Sequence, residues 1–502
     1  MIDETAAPPT THTTHTTHTT QPDAGANALK RDVLGVPSIF FYVIAAASPL
    51  TVVIALLPIM VGLGNGPGAA GTFVLATAAL LVFAVGYVAM SRHITNTGAF
   101  YAYVTAGLGR EAGLGSAFLT MFGYNAIQAA LYGGLGFYVD GLLETHVGVD
   151  LPWWVWSLVA VACCTALGIQ GVHSGARVLG FFMTLELVMI ATLVVASLVH
   201  GDTPVGEYSL RPFAPDAVFS GGLGVSLLFA VCSFIGFEGS AIYGEEAKDP
   251  ARTIPRAAYL SVTFMGVVYA VTTWAVVNAV GVGGAQQSAV DDGGNWIFVL
   301  SGRWISDDVA TVYQVLIVTA MFAAIVTFHN NAARYLYALG REGLIWGRLG
   351  RTHATRQTPY VASFVQSGTI AAVVVGYALA GLDPVVDLFV GLGGIGTVAV
   401  IFSQVTVSVA IIAFFRRTGA DRRVWNTVGA PVLATLALGT IFVMALRSLD
   451  LLLGVTGTTA WLMVSTVFVV PVLGTAYGWF LRTSRPERYA KLDTVLSVDS
   501  DG

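Results

Sequence analysis

Phe234-Ile235-Gly236-Phe237-Glu238-Gly239-Ser240 decides how this chain reads. Apolar sequence from Val218 to Ile235 meets two glycines that bracket a carboxylate, and then runs into the charged hairpin Glu245-Glu246-Ala247-Lys248-Asp249-Pro250-Ala251-Arg252-Thr253-Ile254-Pro255-Arg256. An acid in hydrocarbon is costly and faces a cavity or a partner, so Glu238 marks a functional region. Gly236 and Gly239 lower the cost of unwinding a helix at that point, which is tolerated at membrane depth only where backbone lines a cavity or packs in protein.

Working outward, hydrophobic residues make up 55% of the 502 and charged ones 11%, against about 25% charge in a soluble domain. The composition is that of an all-α integral membrane protein. A net charge of -5 leaves no basic face for nucleic acid. The three cysteines, Cys163, Cys164 and Cys232, lie in apolar runs with neither disulfide nor zinc spacing.

Residues 1–28 are polar and repetitive and read as a disordered cytoplasmic tail. His12, His15 and His18 recur there every third residue without a carboxylate or thiolate to fix a metal geometry. From Pro37 onward, runs of about 20 residues fit membrane spans. Twelve are expected, at 37–62, 69–91, 114–143, 152–172, 175–200, 217–244, 256–281, 308–338, 359–380, 384–415, 426–447 and 459–482, and 483–502 forms a second tail. With both termini in the cytoplasm, only Arg211, Arg303 and Arg447 of the 24 Lys and Arg fall outside, as the positive-inside bias requires.

Two of these spans are interrupted. In the first, Ala45-Ala46-Ala47-Ser48-Pro49 puts a helix-breaking proline in mid-membrane; in the sixth stands the Gly236–Gly239 segment. Paired interruptions at corresponding positions of two halves point to an inverted-repeat transporter with its substrate at the midplane.

The run Gly236-Phe237-Glu238 through Glu245-Glu246, Lys248-Asp249-Pro250 and Ile254-Pro255-Arg256 resembles the amino acid-polyamine-organocation superfamily of permeases. So do Gly98-Ala99-Phe100-Tyr101-Ala102-Tyr103-Val104 with Gly107-Leu108-Gly109, and Asn331-Ala332-Ala333-Arg334-Tyr335-Leu336-Tyr337-Ala338-Leu339-Gly340-Arg341-Glu342-Gly343. The resemblance covers about 38–482. It implies one transporter domain over 29–482: a leucine-transporter-like 5+5 inverted repeat, repeat one at about 37–200 and repeat two at about 217–415, with peripheral helices at about 426–482. It also implies a plasma-membrane protein that moves amino acids by alternating access.

In such transporters the substrate carboxylate meets backbone amides of broken span one, here around Ala46, Ala47 and Ser48. The ammonium group meets carbonyls of broken span six, here around Ser233, Phe234 and Ile235. Half-helix ends carry the partial charges these contacts need. Phe237 is the expected aromatic gate, weighed evenly against simple packing. Asn125, Gln128 and Tyr132 share one face of span three, with Gln128 assigned to the substrate and its neighbours to interhelical bonding.

Some members of the superfamily carry a lysine in span five that takes and releases a proton. Here Lys30, Lys248 and Lys491 all lie outside the membrane. Glu186 in span five and Glu238 are the acids that remain. Removing a carboxyl from water disfavours its ionised form, so proton coupling through Glu238 or Glu186 is expected ahead of sodium, which would use hydroxyls such as Thr319 or Thr327. Glu245 and Glu246 stand at the membrane edge within reach of Lys248, Arg252 and Arg256, an inner charged latch that separates when the site opens inward. No organic cofactor or metal is called for.

An amino acid permease is the main reading, and a polyamine or other organic-cation carrier of the same fold the second, since that substrate wants several acids in the cavity. A channel or transporter-like sensor is the rival class. No nucleophile-base pair, metal constellation or phosphate loop points to an enzyme. The partners expected are a small-molecule substrate and the lipid bilayer; the sequence sets no oligomeric state.

Overall fold

The computed structural model describes residues 33–94, 98, 100–170, 172–448 and 458–490, except the side chains of 170, 172–179, 245, 458, 459 and 490. The expected tail at 1–28 and most of that at 483–502 lie outside these residues. The described chain is helical; one isolated bridge, Leu34 to Ala247, is its only β pairing. The helices are α1 (Val36–Ala47), α2 (49–62), α3 (Ala69–Ser91), α4 (Phe100–Leu108), α5 (Arg110–Val147), α6 (Trp153–Gln170), α7 (Val172–His200) and α8 (Leu223–Cys232). There follow α9 (Gly239–Ile242), α10 (Pro250–Val280), α11 (Ala285–Asp292), α12 (Trp296–Trp304), α13 (Asp307–Arg341), α14 (Tyr360–Leu379), α15 (Pro384–Thr418), α16 (Trp425–Arg447) and α17 (Thr458–Ser484).

Among the described residues, nine helical runs are long and apolar enough to cross a membrane. The other three expected spans fall on α5, which has the length without the hydropathy, and on the shorter apolar α6 and α8. The exterior repeats the message: Leu379 is 85% exposed and Trp479 64%, among many outward valines and leucines. A surface this apolar, on helices long enough to span a bilayer, suits lipid rather than water. The chain is a multi-pass membrane protein.

Local chemistry sets the helix ends. Ser306 accepts from the Val309 amide at 3.3 Å and Asp307 and Asp308 occupy the first turn of α13, both favourable at a positive helix end. α15 stops at Gly419 in the left-handed region, with Arg416 and Arg417 in its last turn. In the interior, α5 packs against α6, α13, α15 and α17, while α1 lies against α7, α10 and α13. Helices at matching positions of the two expected halves also meet: α3 on α10, α5 on α13 and α6 on α14.

Candidate substrate site between two broken helices

α1 ends because Ser48 precedes a proline. Pro49 disfavours the right-handed helical region for the residue before it, and Ser48 sits at φ 46, ψ 73. The break falls at Ser48-Pro49, while the amides it frees lie later than the ones expected to meet the substrate. Ala46 and Ala47 are inside α1, and the Ser48 amide donates to Ile44 O at 2.8 Å. These three amides are therefore committed to the first half-helix. At the start of α2, Pro49 has no N–H and neither the Leu50 nor the Thr51 amide has a backbone acceptor; Val52 resumes the ladder to Ser48 O at 3.1 Å. The hydroxyls of Ser48 and Thr51 bond each other at 2.7 Å beside this amide end.

α8 ends at Cys232, and the chain passes through tight turns to α9. Gly236 has φ 117, and a Cβ there would stand 2.5 Å from Ala46 Cβ. Only glycine lets the two breaks touch. Glu238, fully buried, turns back over this segment: Oε2 accepts from the Gly236 amide at 3.0 Å and Oε1 from Tyr124 Oη at 2.9 Å. Tyr87 Oη donates to the Glu238 carbonyl at 2.6 Å. The acid thus clamps the unwound backbone to α5 and α3. At the C-terminal end of α8, Ser233 O accepts from Tyr269 Oη at 3.2 Å, while no backbone amide donates to Ile235 O.

Between the breaks lies a cavity of about 50 Å³, several times the 10–15 Å³ or so that one buried water needs. Of the residues assigned to the substrate, Ala46, Ala47, Ser48, Ser233 and Ile235 line it. Phe234 and Phe237 do not. Phe234 packs edge-on against Tyr269, and Phe237 meets Phe83 and Tyr87 in an aromatic core behind the break. Gln128 is not in the wall either: it accepts from Gln366 Nε2 at 2.7 Å and donates to Ile325 O at 3.4 Å, in the network that also holds Asn125. Both amides on that helix face bond neighbouring helices.

The wall that sequence reasoning missed is apolar. Ile127, Ala130 and Leu131 come from α5, Phe229 from α8, Phe328 from α13 and Phe389 from α15. The 127, 130, 131 spacing marks one helix face and was the signal available. Thr51, Ser48, Ser233 and Cys232 supply the polar side chains, and among the described residues no charged side chain lines the cavity.

Glu186, 3% exposed on α7, faces the Leu50 amide at the start of α2. Each break therefore has a buried glutamate on one of its freed amides. Thr319 and Thr327 bond their own helix, at Leu316 O and Ala323 O. Glu246 forms a buried ion pair, with a partner different from those expected for the inner latch. Arg334 on α13 grips it, Nε to Oε1 at 2.7 Å and Nη2 to Oε2 at 3.3 Å, with both side chains buried. The guanidinium lies over the Tyr243 ring, which stacks on Tyr42. Arg252 instead approaches Asp249 at 3.6 Å. Glu246 O accepts from the Val33 and Leu34 amides, both at 3.0 Å, so the segment entering α1 is tied to the same corner. Glu245 has a described backbone, in a short 3-10 turn, but its side chain lies outside the described residues.

Known proteins match this chain over most of its length. A branched-chain amino acid permease of Bacillus subtilis is 25% identical over 394 residues, covering 74% of this chain and 79% of that protein. One from Lactococcus lactis is 26% identical over 401 residues, covering 75% and 82%. A low-affinity putrescine importer of Escherichia coli is 23% identical over 325 residues, covering 61% and 67%. The amino acid permease family model matches residues 34–473, and the chain belongs to that family of membrane transporters.

Proposed function

We propose that the protein is a secondary active transporter that carries amino acids with aliphatic side chains across the plasma membrane by alternating access. The observation that carries this reading is a cavity bounded by both half-helix ends, with an apolar wall and, among the described residues, no charged side chain. The carboxylate binds the amide end of α2 at Thr51, with the Ser48 and Thr51 hydroxyls beside it. The ammonium group binds carbonyls at the end of α8, Ser233 and Ile235. Opposite helix ends suit opposite charges. The branched side chain then lies among Ile127, Leu131 and Phe328. The two branched-chain permeases among the relatives support the same choice.

The architecture that goes with it is twelve spans in a 5+5 inverted repeat, both termini cytoplasmic. The packing of α3 on α10, α5 on α13 and α6 on α14 supports this, since a two-fold axis brings matching helices together. Uptake is coupled to protons. Glu238 has both oxygens occupied by donors and serves to clamp the break, which leaves Glu186 as the group that loads the proton. Replacing Glu186 with Gln abolishes accumulation driven by an imposed pH gradient in vesicles while leaving substrate binding in place; unchanged pH-driven accumulation refutes this assignment.

The putrescine importer among the relatives favours a second reading, a polyamine carrier. A dication wants acids in the wall, and Glu238, the acid at the second break, has its two oxygens engaged by Tyr124 and Gly236. Ligand-induced stabilisation follows mass action, so a thermal-shift screen of the purified protein separates the two. Stabilisation by leucine, isoleucine or valine supports the amino acid reading. Stabilisation by polyamines alone reverses it.

A further inference from the structure

A groove runs down the outer face between α15 and α17, away from the substrate cavity. Its walls are Phe402 on α15 and, on α17, the single stripe Phe468, Pro471, Val472, Thr475, Ala476 and Trp479. α17 is held in place by α5: Gly115 lies so close that a Cβ would stand 2.8 Å from Pro471 O. The groove is therefore a fixed feature of the packing. From 468 to 479 the helix rises about 16 Å, close to the roughly 15 Å that one leaflet contributes to a hydrocarbon core of about 30 Å.

Its foot is marked. Trp479, 64% exposed, closes the groove, and tryptophan is a side chain that favours membrane interfaces. One turn further on come Arg482, Arg485 and Arg488, all exposed. Phe402 and Phe468 meet at 5.9 Å between ring centres. Arg416 lies fourteen residues past Phe402 and Arg482 fourteen past Phe468, and both helices are traversed in the same direction, so the two arginines reach the same depth. Glu111 occupies Arg482 at 3.1 Å and also accepts from Tyr489 at 2.7 Å. Among the described residues after α17, exposed Glu487 is the other acid. Arg416, Arg485 and Arg488 leave the foot net positive.

We propose that this groove holds one acyl chain of an anionic phospholipid of the inner leaflet, with its headgroup on the arginine cluster. The leaflet follows from the cytoplasmic termini proposed above; binding itself does not depend on the transport reading. Basic residues at a membrane surface attract anionic lipid, and the apolar stripe selects a chain of leaflet depth.

The test is native mass spectrometry of the delipidated full-length protein, titrated with phosphatidylglycerol or phosphatidylcholine of identical acyl chains. Phosphatidylglycerol is expected to bind at least tenfold more tightly. Ala476→Trp, which fills the groove from the lipid side, is expected to weaken binding of that lipid severalfold with an unchanged melting temperature. The double change Arg485→Gln and Arg488→Gln is expected to erase the headgroup preference. Equal binding of the two lipids, or binding indifferent to Ala476→Trp, overturns the proposal. So does a lipid-free dimer that Ala476→Trp dissociates, because the groove is then an interface between copies.

Discussion

Glu246→Gln leaves the shape of the inner corner intact and removes one charge from a buried pair. Arg334 and Glu246 expose 4% and 7% of their side chains and share two hydrogen bonds. Stranding a buried guanidinium in this way costs about 3–5 kcal/mol, whereas replacing both partners with apolar groups of similar volume is often neutral or better. In the alternating-access cycle proposed above the pair holds the inner face closed, so the cost falls on that state. At about 1.4 kcal/mol per tenfold, the ratio of inward-open to closed protein rises at least a hundredfold. Ser240 is a suitable reporter, fully buried next to the break with a hydroxyl that has no partner. In a variant lacking the native cysteines and carrying Ser240→Cys, a membrane-impermeant maleimide on the cytoplasmic side labels the Glu246→Gln form far faster than the parent. Labelling falls back when Glu246→Gln is combined with Arg334→Met. Equal labelling rates refute the latch, as does a double-mutant cycle with coupling below about 0.5 kcal/mol, the range of independent sites.

Gly236→Ala forces a side chain into the left-handed region and against Ala46; overpacking of this kind costs about 1–3 kcal/mol, and transport is expected to fail while the protein still inserts, as uptake and surface labelling report together. Ala130→Val narrows the cavity wall, and with one methylene worth about 1–3 kcal/mol of discrimination, competition assays should show leucine losing affinity at least tenfold more than alanine. His93, in the loop after α3, is held below its ordinary value by burial, against the pull of Asp421 and with Arg92 and Arg423 adding to the effect. The unfolded chain then takes up a proton first on acidification, so stability rises with pH up to about 6.5. His93→Gln flattens that part of the melting-temperature profile, and an unaltered slope means that His93 does not contribute.

The breaks were legible because they depend on backbone chemistry carried by single residues. Pro49 fixes the conformation of Ser48 wherever the helix lies, and Gly236 takes a torsion that other residues resist. Side-chain orientation was harder. Gln128 and Ile127 are neighbours in sequence, yet one faces α13 and α14 and the other the cavity. A helix advances 100° per residue, and the sequence does not set its rotation. Of the two readings weighed for Phe237, the structure places it in packing, because the turns after α8 direct it toward Phe83 and Tyr87. Arg334 lies 88 residues from Glu246. Local charge spacing favoured Arg252 and Arg256, and only tertiary packing of α13 brings Arg334 to the corner.

Recognition of a zwitterion by two opposed helix ends is tested most directly with one-ended analogues. Proteoliposome uptake of labelled leucine is measured in competition with unlabelled leucine, isopentylamine, 4-methylpentanoate and putrescine. A hydrogen bond to a charged group is worth about 1.5–3 kcal/mol, so each analogue that lacks the carboxylate or the ammonium group should compete at least tenfold less well than leucine, and putrescine hardly at all. Competition by isopentylamine or putrescine equal to that by leucine would contradict a carboxylate site at the start of α2.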